Sequence, residues 1–203
     1  MSEVAIGHEA HAEHPTTTGI THNKMLMWTF LASDCMFFGS LIMTYMIYRG
    51  HSVGAPAPEK VWDIPFTSVS AAILLLSSLA MVLSLDALKL GSLWGYRIWM
   101  LATAALGILF LGGQYYEFTS FYHEGVTLHS SLFGSTFFVL TGFHGTHVGI
   151  GVLWLLILVG MTFTGRLTPE NYDRAEVAGL YWHFVDIVWI LIFTLVYLIP
   201  YAK

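Results

Sequence analysis

From Met25 onward the chain alternates long apolar runs with short polar connections. The runs fall at Met25–Tyr48, Phe66–Ala87, Ile98–Phe121, Ser131–Thr164 and Val177–Tyr201. Each reaches or exceeds the roughly 20 helical residues that a bilayer crossing takes. The connections suit this division: "GHSVGAPAPEKVWDIP" (50–65) is rich in Gly and Pro, and "KLGSLWGY" (89–96) reads as a tight turn. "HEGVTLHS" (123–130) and "GRLTPENYDRAE" (165–176) complete the set, with Thr168-Pro169 as a helix-start signal. The predicted fold is all-α, an integral membrane domain of five transmembrane helices over residues 25–203. A solvated, mobile N-terminal tail precedes it over residues 1–24.

Helical spacing then sorts the faces of each run. On the fourth, Gly134, Ser135, Thr141, Gly142, Gly145 and Gly149 share one side, and Leu140, His144, His147 and Gly151 the other. Gly145-xxx-Gly149 lets another chain element approach closely. This helix is therefore expected to be buried on two faces. It spans 34 residues, or about 50 Å against a hydrocarbon core of about 30 Å, so it must tilt, kink or project. On the fifth run His183 and Asp186 share a face with Gly179, Ile190 and Tyr197. On the third, Gln114 and Glu117 share one with Thr103, Gly107, Phe110 and Phe121. On the first, Asp34 lies on a stripe with Phe38, Leu41, Tyr45 and Tyr48.

Composition agrees with a membrane protein: 56% hydrophobic, 10% charged and a mean hydropathy of +0.66, too little charge to cover a soluble domain of this length. The net charge of −5 comes without a basic block, which argues against nucleic acid as a partner. One cysteine, Cys35, excludes an internal disulfide and a multi-cysteine metal site. The N-terminus lacks the basic segment and short apolar core of a secretory signal. With the N-terminus inside, Lys24, Lys89, Arg97, Arg166 and Arg174 lie inside and Arg49, Lys60 and Lys203 outside; five against three favours a cytoplasmic N-terminus. Trp28, Trp62, Trp94 and Trp99 near run ends fit interfacial anchors.

Asp34, Glu117, His144, His147, His183 and Asp186 are ionisable groups deep in these runs, while Asp86 at a helix end reads as interfacial. Intramembrane groups of this kind face a protein interior or a watery cavity. Depth allows Asp34, His144, His147, His183 and Asp186 to meet in one cluster. Three readings compete. A di-metal centre would use the histidines and carboxylates, but the bundle motif needs Glu-x-x-His on two helices, which no run here contains. A proton or ion pathway would use the acids, but no inverted repeat marks a transporter. Hydrogen bonds between helices, to a partner subunit or to lipid headgroups need neither. The tail histidines His8, His11 and His14 recur every third residue and are capable of opportunistic metal binding.

Four stretches, in order, resemble subunit III of the haem–copper respiratory oxidases. They are "SDCMFF" (33–38), with Asp where many members have Glu, "GGQYYEF" (112–118), "FGSTFFVLTGFHGTHVGIG" (133–151) and "YWHFVDIVW" (181–189). The chain resembles the short, five-helix bacterial form of that family. The resemblance implies a V-shaped bundle of two helices against three with phospholipid in the cleft. It also implies an accessory, non-redox subunit of a cytochrome c oxidase, packed directly on subunit I in a complex with subunit II. Haem and copper would then lie in those partners, with no catalytic, cofactor-binding or metal-ligating residue in this chain. Support of proton uptake and protection of the oxidase during turnover follow from the same resemblance. Asp34, Glu117, His144, His147, His183 and Asp186 match the family's buried polar positions, with a structural or lipid-binding role implied. Location in the bacterial cytoplasmic membrane follows as well. A quinol oxidase or nitric oxide reductase subunit III is the nearest alternative. A stand-alone membrane carrier or metal-binding protein is the alternative of another class.

Overall fold

The computed structural model describes residues 21–49, 64–123 and 131–199. The tail through residue 20, with His8, His11 and His14, lies outside the described residues, as do residues 50–63, 124–130 and 200–203.

Among the described residues five long helices follow one another: α1 (His22–Tyr48), α2 (Ile64–Lys89), α3 (Leu93–His123), α4 (Leu132–Phe163) and α5 (Tyr172–Ile192). All five are long and apolar enough to cross a membrane, as the hydropathy pattern predicts. Polar ends extend them by a few residues beyond the apolar runs: α1 starts at His22, inside the expected tail, and α3 starts at Leu93. The apolar run reports the lipid-facing length, whereas the backbone ladder continues until a cap stops it.

Those stops are local. Gly91, at φ 78°, turns the chain between α2 and α3, with Gly91 N–H on the Leu88 carbonyl at 3.0 Å and Ser92 N–H on that of Ala87 at 2.9 Å. A positive φ is open to glycine at little steric cost, which is why it ends helices. Gly165, at φ 68°, does the same after α4. Ser131 caps α4, its hydroxyl accepting from Gly134 N–H at 3.0 Å. Pro169 opens a 3₁₀ turn, Pro169–Asn171, that leads directly into α5, as Thr168-Pro169 suggests. At its far end α5 widens into a π-helical turn, Phe193–Leu198.

α2 and α3 pack along one another as a hairpin, α1, α4 and α5 touch pairwise, and the two sets are joined through α3 on α4 and α2 on α5. The two groups touch along the whole length of α3 and α4, so no open V separates them there. Arg97 meets Thr162 at one end, a Cβ at Gly107 would meet Val152 and Trp182 midway, and Phe118 and Phe121 pack on Phe138 and Phe137 at the other. Lipid tails are as apolar as leucine, so close packing, aromatic contacts and hydrogen bonds hold such a bundle rather than water exclusion. Ser70, Ser77 and Ser84, spaced by seven, are all buried on α2, and small residues of this kind bring backbones close.

Candidate functional site

The six intramembrane groups do not form one cluster. Asp34 on α1 pairs with His147 on α4, carboxylate Oδ2 to ring Nε2 at 3.5 Å, and the side chains are 13% and 16% exposed. His147 Nδ1 donates to the Phe143 carbonyl at 2.8 Å. Tyr181 of α5 adds a third strand to this junction, donating its hydroxyl to the His147 carbonyl at 3.0 Å.

His144, one turn before His147, points elsewhere. It is fully buried, stacked on Trp189 with ring centroids 4.9 Å apart and met edge-on by Phe110 at 5.9 Å. Neither ring nitrogen has a hydrogen-bond partner among the described residues. Three residues advance a helix by about 300°; that step separates the two histidines, one turned to α1 and the other to α3 and α5.

His183 and Asp186 meet at α2. His183 Nδ1 lies 2.6 Å from Ser78 Oγ, and the same hydroxyl lies within electrostatic reach of the Asp186 carboxyl group. Asp186 is 5% exposed. The expected face held in part: Gly179 packs on Leu85 of α2, but Ile190 is 42% exposed. Trp189 takes its place inside, because residues three apart line the contact better than four at this crossing.

Glu117 on α3 accepts from Thr67 of α2 at 3.0 Å, and Tyr197 of the π-helical turn lies within electrostatic reach of the same carboxylate. The π-helical turn carries Tyr197 inward; π-bulges occur often at functional positions. Next to it, Gln114 Nε2 donates to the Thr141 carbonyl at 2.6 Å, and a Cβ at Gly145 would run into the Gln114 amide. Gly145 therefore admits a polar side chain rather than a backbone. The α3 face predicted from spacing, with Thr103, Gly107, Phe110, Gln114, Glu117 and Phe121, is buried throughout. On α1, Phe38 and Tyr45 are buried and Tyr48 is 38% exposed; a stripe of period 3.5 drifts off a straight helix.

Several partners escaped the reading of the sequence. Trp182 donates Nε1–H to Ser77 Oγ at 3.0 Å inside the core. Arg97 donates Nε–H to Thr162 Oγ1 at 2.7 Å and a second N–H to its carbonyl at 2.9 Å, with its guanidinium 4.1 Å over the Phe163 ring. The heptad spacing of the α2 serines was the available signal for the first; the Arg97 contact has no sequence signature. Among the described residues no three His, Cys, Asp or Glu side chains converge as metal ligands do.

The family described as Cytochrome c oxidase subunit III matches residues 4–201. The chain belongs to this family. The quinol oxidase subunit 3 of Bacillus subtilis is 37% identical over 190 residues, covering 93% of this chain and 92% of the relative. The cytochrome c oxidase subunit 3 of the same species is 38% identical over 178 residues, covering 87% and 86%. The cytochrome bo(3) ubiquinol oxidase subunit 3 of Pseudomonas aeruginosa is 36% identical over 196 residues, covering 96% and 94%. This subunit III is thus an accessory, multi-pass membrane component of a haem–copper terminal oxidase.

Proposed function

We propose that this subunit III serves a cytochrome c oxidase, packing on subunit I beside subunit II while haem and copper reside in those partners. Within it, Asp34, Glu117, His144, His147, His183 and Asp186 hold the helices in register. The observation that carries this reading is that four of the six, Asp34, His147, Glu117 and His183, bond or pair with a residue on a different helix, while Asp186 lies near Ser78 of α2 and His144 stacks on Trp189 of α5. A groove of about 430 Å³ between α1, α4 and α5 supports phospholipid binding. Phe30, Trp154, Leu158 and Met161 are among its apolar walls, and Asn23 and Arg174 stand at its polar mouth. Arg174 suits a headgroup phosphate because Lys24, not Arg174, pairs with Glu176 at 2.7 Å and Asp173 at 3.7 Å.

A quinol oxidase is the second reading, favoured by quinol oxidase relatives that match this chain as well as the cytochrome c oxidase ones do. Co-purification of the tagged chain in mild detergent separates the two. Haem a bands and copper arriving with a large partner support an oxidase subunit, and oxygen uptake driven by reduced cytochrome c rather than by quinol assigns the cytochrome c oxidase. A b-type spectrum assigns a quinol oxidase or nitric oxide reductase, and a colourless, partner-free protein overturns the scaffold role. We further infer support of proton uptake: Asp34→Ala is expected to leave assembly intact while slowing proton uptake or shortening the catalytic lifetime of the complex. Unchanged uptake and unchanged inactivation during turnover in that variant would refute this part.

A further inference from the structure

The junction of α1, α4 and α5 constrains how many protons it holds. His147 Nδ1 sits 2.8 Å from the Phe143 carbonyl. A carbonyl oxygen only accepts, so Nδ1 carries a hydrogen, and Nε2 is the ring nitrogen left to gain or lose one. Nε2 faces Asp34 Oδ2 at 3.5 Å. A carboxylate and a neutral Nε2 are both acceptors, and two lone pairs facing each other away from water repel. Asp34 Oδ2 is fully enclosed and takes no hydrogen bond among the described residues.

The surroundings do not relieve this. From α5, Tyr181 lies within electrostatic reach of Asp34, but its hydroxyl hydrogen is given to the His147 carbonyl. From α4 itself the neighbouring titratable group is His144, which brings no negative or fixed positive charge. On α1 the nearest described cation is Lys24, ten residues and about 15 Å along the helix, and it is engaged with Asp173 and Glu176. On α5 it is Arg174, seven residues before Tyr181. α4 has no Lys or Arg between Leu132 and Phe163.

We infer that Asp34 and His147 form a one-proton site. They hold a single proton between them, as carboxyl with neutral imidazole or as carboxylate with imidazolium, so the pair carries no net charge inside the bilayer. A second proton, or the loss of the first, would leave an uncompensated charge in low dielectric. The site is independent of which electron donor the oxidase uses.

The test is isotope-edited infrared and ¹⁵N magnetic resonance on the intact oxidase near neutral pH. The Asp34 signal is assigned by its loss in Asp34→Asn and the His147 signal by its loss in His147→Gln. One protonated and one unprotonated partner is the expected result. An ionised Asp34 beside a neutral His147 overturns the inference, and so does a protonated carboxyl beside an imidazolium. Asp34→Asn adds a second readout, because an amide N–H donates to Nε2 in place of the shared proton. His147 must then be the neutral Nδ1–H tautomer; an imidazolium that persists in this variant also overturns the site. His147→Gln reports the Asp34 signal separately should the first variant not assemble.

Discussion

At Gly107 a Cβ would lie 2.7 Å from Trp182 Cη2 and 2.8 Å from Val152 Cγ2. Neither neighbour is the free end of a flexible chain: Trp182 is 1% exposed and held through Ser77. Gly107→Ala is therefore expected to cost about 1–3 kcal/mol, the usual range for overpacking a well-filled interior. Gly112, on the same helix, has nothing within 4 Å of its would-be Cβ. Gly112→Ala should be neutral or slightly stabilising, since alanine is the better helix former by about 1 kcal/mol. Thermal unfolding of the two variants in detergent checks both; equal melting would remove the argument. At this scale the buried polar residues were legible as types, because an ionisable group inside an apolar run stands out. Their partners were not: Ser78, Thr67 and Tyr181 look unremarkable in sequence, and which hydroxyl meets which acid depends on how the helices cross.

At the scale of elements, α5 is the hub. It touches α2 through Trp182, His183 and Gly179, α4 through Trp189, and α1 through Tyr181. Trp182→Phe removes the bond to Ser77, whose own hydroxyl still donates to the Leu74 carbonyl at 2.5 Å, and withdraws the six-membered-ring edge that meets Gly107 and Gly151. The expected loss is about 2 kcal/mol, one hydrogen bond plus part of the ring packing, whereas Trp182→Ala should cost about 3–5 kcal/mol by opening a larger cavity. A melting series in one detergent reads the difference, and a Trp182→Phe loss as large as that of Trp182→Ala would show that the hydrogen bond, not the packing, matters. The two-faced burial of α4 was predictable from spacing, because glycines and histidines alternate around a helix of known pitch. The π-helical turn was not, since its single wider turn leaves no mark in composition.

For the molecule as a whole, one end gathers the basic residues. Lys24 meets Glu176, Lys89 lies 4.8 Å over the Tyr172 ring, and Arg97 holds Thr162, while Arg49 follows the opposite end of α1. We propose that this basic end is cytoplasmic, which places the N-terminus inside. An impermeant thiol reagent on whole spheroplasts should leave a cysteine at Ser92→Cys, in the α2–α3 turn, unlabelled until the membrane is permeabilised. Labelling in intact cells would reverse the orientation. Trp28, Trp94 and Trp99 are 57%, 70% and 41% exposed near this end, as interfacial anchors are.

The sequence by itself determined the number of spans, the membrane as solvent and the family. These depend on local hydropathy, on a fixed helical pitch and on motif order, none of which requires knowing which helices are neighbours. It also marked Asp34, Glu117, His144, His147, His183 and Asp186 as residues needing partners, since each is costly in lipid. Only the tertiary structure decided that they separate into an Asp34–His147 pair, a Ser78 junction, a Glu117 junction and a histidine inside an aromatic box. The physical reason is that side-chain pairing between helices depends on crossing angle and axial offset. Those follow from how Gly107, Gly145, Gly151 and the α2 serines let neighbouring helices settle against one another.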